Sequence, residues 1–216
     1  MKKRYDGIVF DLDGVICSTD EYHYLAWKSI ADELHTPFDR TINNRLRGVS
    51  RQESLEIILE RYDGPTLSAE DKIKLTDKKN RTYQTFLKQL TPDSLSDDVK
   101  KTLLVFRSKE IPMAIGSSSK NTKLILSQIG LNHFFDAVID GNDITHSKPN
   151  PEVFLKAASA IHIRPSKCLV VEDADAGIEA AHAGGFKSAG ISQASKNPLT
   201  THPIKKISDL INIELE

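Results

Sequence analysis

The sequence predicts an α/β protein: a doubly wound, mainly parallel sheet whose chain is interrupted by an inserted α-helical cap. Three observations lead there. The apolar run Ile8-Val9-Phe10 opens directly onto Asp11-Leu12-Asp13-Gly14, as a buried parallel strand does where it meets a ligand-binding loop. From Thr91 onward, short β-rich runs alternate with helical periodicities, the pattern of parallel strands joined by helical crossovers. Between the two, residues 16–90 carry helical patterning alone, far longer than an ordinary connection. We therefore expect residues 1–15 and 91–216 to form the sheet-bearing core and residues 16–90 to form the cap.

Taken in order, Tyr5 to Phe10 is the first strand. Trp27, Ile30, Ala31 and Leu34 recur at helical spacing and predict a helix over 20–35, with Ser18, Thr19 and Asp20 as caps and His23 on the stripe of Trp27. Ser50 to Glu53 reads as a capping box opening a second helix, with Leu55, Ile58, Leu59 and Tyr62 inward and Asp63-Gly64-Pro65 ending it. A third helix starts at Ser68 and runs toward Leu90, with Ile73, Thr76, Tyr83, Leu87 and Leu90 on one side, interrupted by Lys79 and Asn80. Beyond Thr91-Pro92 the pattern predicts helix 97–108, strand 112–116, helix 121–129 closed by Gly130, and strand 137–139. Helix 151–161 with proline in its first turn, strand 168–171 and helix 175–183 follow, and short strands at 187–191 and 203–207 complete the sheet.

A chain of 216 residues is long enough to bury a sizeable core and still carry a smaller insertion. Its formal net charge of -1 gives no general attraction to nucleic acid or acidic membranes, so any anion site must be built locally. Cys17 and Cys168 are the only cysteines and lie far apart, which argues against a disulfide framework or a zinc cluster and makes a reducing cytoplasm the expected setting. The basic Met1 to Arg4 is followed by an apolar stretch too short for a signal sequence, and no run reaches transmembrane length.

The chemistry is organised around Asp11. Two residues apart at the end of a strand, Asp11 and Asp13 project similarly and repel each other unless a divalent cation neutralises them. Hard oxygen donors of this kind suit Mg²⁺, which also binds phosphate. One carboxylate can attack phosphorus and become an acyl phosphate while the other exchanges a proton with the leaving or entering oxygen. Ser117-Ser118-Ser119-Lys120-Asn121 follows an apolar strand and precedes a helix, so hydroxyls, backbone N–H groups and the helix dipole all face one anion. Capping uses one serine, and three in a row exceed that need. Lys148 precedes Pro149, whose ring holds the lysine backbone extended and aims its ammonium. Glu172-Asp173 terminates Leu169-Val170-Val171, so these acids end a buried strand, where a metal role outweighs solvation.

Together, the DLDGV run at Asp11, the serine at Ser117, the Lys148-Pro149 pair and VVED at Val170 to Asp173 resemble the four ordered motifs of the haloacid dehalogenase superfamily. That resemblance implies a Rossmann-like core and Mg²⁺-dependent aspartyl phosphoryl transfer. Asp11 would be the nucleophile and a metal ligand, Asp13 the general acid/base and a ligand through its backbone, Asp173 the third protein ligand, and Glu172 close to the metal. Ser117, Ser118 and Lys148 would hold the transferring phosphoryl group.

The cap residues Glu21-Tyr22-His23, Trp27, Arg47-Gly48-Val49-Ser50-Arg51 and Lys79-Asn80, with Ser119-Lys120-Asn121 in the core, are similar to those of hexose-phosphate mutases in that superfamily. This implies interconversion of β-D-glucose 1-phosphate and glucose 6-phosphate through an enzyme-bound 1,6-bisphosphate, by a monomer. Arg51, Ser119, Lys120 and Asn121 would hold the second phosphate, and His23 would reach Asp13 and a sugar hydroxyl only when the cap closes. Trp27, Arg47, Gly48, Val49, Ser50 and Lys79 would also face the substrate. Ser18, Arg47 and Ala174 depart from the residues common in those relatives. The same core with water as acceptor would make a sugar-phosphate phosphatase, and one without turnover a phosphosugar-binding regulator.

Overall fold

The computed structural model describes residues 5–47 and 49–213. Gly48, named above as substrate-facing, lies outside the described residues. The elements in chain order are β1 (Gly7–Phe10), α1 (Asp20–Glu33), α2 (Arg40–Asn44), α3 (Arg51–Leu59), α4 (Ala69–Leu87) and α5 (Asp97–Ser108). They continue with β2 (Met113–Gly116), α6 (Thr122–Gln128), β3 (Ala137–Ile139), α7 (Glu152–Ala160), β4 (Cys168–Glu172), α8 (Asp175–Ala183), β5 (Lys187–Gly190) and β6 (His202–Pro203).

The six strands order as β3-β2-β1-β4-β5-β6, and every pairing among the described residues is parallel. β1 sits at the centre, with Phe10 opposite Ile115 of β2 on one side and Val171 of β4 on the other. Side chains of a strand alternate between faces, and the core divides accordingly. Ile8, Phe10, Met113, Ile115, Leu169 and Val171 join the cluster that includes Leu103 and Phe106 of α5. Val9, Ala114, Cys168 and Val170 pack on the opposite face against Phe154 of α7 and Ala180 and Ala181 of α8. Both faces of the sheet are therefore covered, which is why its strands read as unbroken apolar runs.

The helices between β1 and α5 have a core of their own: Trp27, Ile30, Ala31, Phe38, Ile42, Leu46, Leu55 and Ile58. Ala26 on α1 and Tyr83 and Leu87 on α4 belong instead to the main sheet cluster, so those two helices root the segment in the core. The Ser50 capping box forms as its sequence predicts, with Glu53 N donating to Ser50 Oγ at 3.2 Å and Ser50 N donating to Glu53 Oε2 at 2.9 Å.

Four expectations need correction. Ile73 is 58% exposed, because α4 begins against α3 through Leu75 and the Lys72–Glu56 ion pair, on another side of the helix. Tyr62 is only half-buried, and α3 ends at Leu59, ahead of the Asp63-Gly64-Pro65 break. α2 was not anticipated; its five residues are too few to show periodicity, and its start is fixed by Asp39, which accepts from Ile42 N at 2.9 Å. The last strand stops at Pro203, because Asp209 Oδ2 accepts from Lys205 N and Lys206 N and turns the chain into the 3₁₀ helix Ile207–Asn212. Among the described residues no helix is long and apolar enough to cross a membrane.

Candidate active site

β1 and β4 are neighbours from which the strand order runs outward in opposite directions, so a crevice opens at their carboxyl ends. Asp11 leaves β1 there, its N–H donating to Val171 O at 2.9 Å, and Glu172 and Asp173 leave β4 beside it. Ser117 leaves β2 with its N–H donating to Ile139 O at 3.1 Å. Lys148 arrives from the connection between β3 and α7, across a cis bond to Pro149.

Asp11, Glu172 and Asp173 each bring one oxygen into a group whose members all lie within 4.8 Å of one another, and all three residues are buried. Lys148 is buried with them; its Nζ donates to Asp11 Oδ1 and, at 2.6 Å, to Glu172 Oε1. Glu172 Oε2 accepts from the N–H groups of Asp173 at 2.8 Å and Ala174 at 2.9 Å. Two glycines clear the space: a Cβ on Gly14, at φ +82°, would collide with the Asp173 carboxylate, and one on Gly177 with that of Glu172.

Burial pushes the Asp11 carboxyl well above the usual carboxylate range, Lys148 opposes this, and Glu172 and Asp173 reinforce it. Asp173 is pushed up to about 7 by burial and then by Glu172, with Arg47 opposing. For Lys148 burial acts downward, but the charges of Asp11 and Glu172 outweigh it and hold its proton above the ordinary lysine range. Lys148 thus pairs with two of the three carboxylates and Arg47 approaches the third, two cations against three acids. The donor set and its excess negative charge fit a hard divalent cation such as Mg²⁺.

Asp13 lies outside that group of three, although its charge still reaches Asp173. Its Oδ1 accepts from Thr19 Oγ1, and Thr19 Oγ1 lies 2.7 Å from the Tyr83 hydroxyl. The sequence predicted Thr19 as a possible helix cap, but its side chain makes no capping bond to α1, because it is spent on Asp13. Burial raises the Asp13 carboxyl, opposed by the Thr19 bond and by Lys79.

The serine segment folds into a tight loop. Ser119 N donates to Ser117 Oγ and Asn121 N to Ser119 Oγ, both at 3.2 Å, while the buried Ser118 Oγ has no partner among the described residues. A brace that sequence reasoning missed supports this loop: Gly141 N donates to Ser119 O at 3.1 Å and Asn142 Nδ2 to Lys120 O at 3.1 Å. Its signal was the Asp140-Gly141-Asn142 turn after β3, with Asp140 Oδ1 accepting from Asn142 N at 2.7 Å.

On the cap side, Lys79 is 3% exposed, with its Nζ 2.8 Å from His23 Nδ1 and 5.0 Å from the Trp27 ring centre. His23 is therefore engaged by Lys79 and not by Asp13. Burial and then the nearby Arg51 bring Lys79 down to about 7. Burial, Lys79 and Arg51 hold His23 well below its ordinary value, so its neutral Nδ1 can accept from the lysine. Arg47 pairs with Asp20 and reaches Asp173 Oδ2 at 3.4 Å, a contact to the acidic group that the sequence did not suggest. Arg51 Nη2 donates to Asn80 Oδ1 at 3.0 Å. Trp27 and Ser50 keep structural duties as well, the first in the helical core and the second as the α3 cap.

Every site residue predicted from the sequence, Gly48 apart, lines a single cavity of about 830 Å³, Val49 and Lys120 included. Its lining includes the acid–lysine cluster and also Arg51, Ser119, Lys120 and Asn121, with Arg51 and Asn121 joined through Asn80. Such a parallel sheet, with acids and a lysine at its switch point beneath a helical segment, defines an α/β enzyme of the haloacid dehalogenase type. The family model for haloacid dehalogenase-like hydrolases matches residues 5–185, and the chain belongs to that family. It is 38% identical over 204 residues to the β-phosphoglucomutase of Bacillus subtilis (strain 168), covering 94% of this chain and 90% of that one. It is 31% identical to the fructose-1-phosphate phosphatase YqaB of Escherichia coli (strain K12), with 88% and 98% covered. The crystal structure of β-phosphoglucomutase from Clostridium difficile superimposes with a TM-score of 0.88 at 30% identity, with 97% and 93% covered.

Proposed function

We propose that the chain is a β-phosphoglucomutase, interconverting β-D-glucose 1-phosphate and glucose 6-phosphate through an aspartyl-phosphate enzyme and β-glucose 1,6-bisphosphate. The observation that carries this reading is that one cavity is lined both by the acid–lysine cluster and by a second group of anion-binding side chains, Arg51, Ser119, Lys120 and Asn121. A hydrolase needs one phosphate site, whereas a mutase must hold a phosphoryl group at each end of the same sugar. That second group supplies the second site.

In this reading Asp13 takes the proton of the C6 hydroxyl of glucose 1-phosphate, whose oxygen attacks the phosphorus of the Asp11 aspartyl phosphate and releases the Asp11 carboxylate, giving the 1,6-bisphosphate. After the sugar turns over, an Asp11 carboxylate oxygen attacks the C1 phosphorus, the bond to the C1 oxygen breaks, and Asp13 gives that oxygen its proton, leaving glucose 6-phosphate and the aspartyl phosphate. Lys148, Ser117 and Ser118 hold the phosphoryl oxygens while charge spreads over them. Asp11, Glu172, Asp173 and the Asp13 backbone would hold Mg²⁺, which when bound supplies positive charge to the phosphoryl oxygens. His23, Lys79, Trp27, Arg47, Val49 and Ser50 face the sugar from residues 16–90, which act as a cap over the core formed by 1–15 and 91–216. Closure excludes the water that would hydrolyse the aspartyl phosphate. The setting we infer is cytoplasmic and the enzyme a monomer.

The test is to mix the purified protein with Mg²⁺ and glucose 1,6-bisphosphate, quench, and measure acid-stable, hydroxylamine-labile phosphate on the chain. Wild-type protein should carry it and Asp11→Asn should not. Labelling of Asp11→Asn at the wild-type level would refute the nucleophile.

A further inference from the structure

In the lining of the cavity, one arginine fixes the polarity of a chain of side-chain amides. A guanidinium has only donors, so the Asn80 atom that Arg51 Nη2 meets at 3.0 Å is the carbonyl oxygen. The Asn121 side chain reaches that same oxygen at 2.9 Å and so turns its NH₂ group toward it. This leaves the Asn121 carbonyl on the other side, where Gln84 Nε2 donates to it at 2.8 Å. Asn80 and Gln84 are four residues apart on α4, so one helical turn sets both contacts. Asn121 is buried between them.

Two donors converging on one oxygen is the arrangement a phosphoryl oxygen requires. We propose that Asn80 and Gln84 are positioning residues of the distal phosphate subsite. Asn80 Oδ1 holds the Arg51 and Asn121 donors converged, and Gln84 locks the Asn121 amide with its NH₂ group on the side of Asn80 and Arg51. The inference rests on the reading above, in which Arg51 and Asn121 receive the second phosphate. Gln84 does not itself line the cavity, so it acts through Asn121. Without its donor the Asn121 amide is held, among the described residues, by Asn80 alone, and half a turn would present a carbonyl oxygen, which repels a phosphate. The ligands that depend on Gln84 are therefore esters carrying a second anionic group opposite the reacting one.

The experiment compares apparent KM values for phosphoenzyme formation from glucose 1,6-bisphosphate and from p-nitrophenyl phosphate, which has no second anion. Gln84→Met keeps the length of the side chain and removes the amide. The ratio of the bisphosphate KM to the nitrophenyl phosphate KM should rise about tenfold, the loss of one hydrogen bond oriented on a charged group. Gln84→Glu, which accepts where glutamine donates and draws the Asn121 NH₂ group away, should raise it further and decides the matter if the methionine variant does not fold. A ratio unchanged in a folded variant, with wild type preferring the bisphosphate, overturns the inference alone. A wild type with no such preference overturns the distal subsite and the inference with it.

Discussion

Lys148 Nζ lies 2.6 Å from Glu172 Oε1, and the two side chains are 2% and 1% exposed. With Asp11 also bonded to the same ammonium, this lysine is the nearest counter-charge for two of the three buried acids, and Arg47 reaches the third, Asp173. Removing one partner of a buried pair leaves the other uncompensated, which costs about 3–5 kcal/mol. Lys148→Ala should therefore lower the melting temperature markedly in EDTA. Because a divalent cation takes over the neutralisation, Mg²⁺ should raise the melting temperature of the variant more than that of wild type. Equal Mg²⁺ shifts in thermal unfolding would contradict this.

Gly14 stands where a side chain would strike the Asp173 carboxylate, and its φ of +82° is one that other residues rarely adopt. Gly14→Ala should displace Asp173 and weaken Mg²⁺ binding about tenfold or more, as disturbances around metal ligands do. Titration calorimetry with Mg²⁺ measures it, and an unaltered affinity would show that Asp173 is not a ligand.

Thr19 has one hydroxyl proton. Since it goes to Asp13, the Tyr83 hydroxyl is left to donate to Thr19, making a directed chain from α4 to Asp13, the acid/base we propose. Thr19→Val and Tyr83→Phe should each lower kcat about tenfold with little change in KM, the effect of one lost hydrogen bond. The double variant should be no worse than the poorer single one, because both cut the same chain. Additive losses in steady-state kinetics would separate the two residues.

Lys79 titrates at about 7 in the folded protein, chiefly through burial, against about 10.4 for a free lysine. Between those values the unfolded chain binds a proton that the folded one does not, so this group makes stability rise with pH across the window. Its destabilising effect is complete below about pH 7 and vanishes above about pH 10.4. Lys79→Met should accordingly be more stable than wild type at about pH 6.5, by several kcal/mol at most, with the gap closing toward about pH 10. Thermal melts across that range check it; a gap independent of pH would place the effect in packing.

The central strands and their terminal acids were legible because a buried parallel strand ending at a ligand site leaves a plain trace, an unbroken apolar run followed by carboxylates. Ser117 and Glu172 could be placed for the same reason, each at the end of a readable strand, whereas Lys148 lies in the connection between β3 and α7 and was marked only by the proline after it. Local pattern could not show which of these groups touch. Thr19 looked like any helix cap, and its link to Tyr83 spans 64 positions. Lys79 read as a break in an apolar stripe, yet the helix buries it, because the cavity it faces supplies His23 as a partner. Gln84 gave no signal at all; its meaning depends on Asn121, which belongs to another segment of the chain. The short last strand failed for a related reason, since Asp209 rather than the apolar residues before it decides where the chain turns.

The central claim is that the phosphoryl group on Asp11 passes to sugar and not to water. A phosphorus NMR time course with β-glucose 1-phosphate, Mg²⁺ and a trace of glucose 1,6-bisphosphate follows every phosphate at once. The account predicts that glucose 6-phosphate grows as the 1-phosphate falls, with the bisphosphate signal maintained and inorganic phosphate flat. Inorganic phosphate accumulating in step with substrate loss would contradict it and make the chain a sugar-phosphate phosphatase.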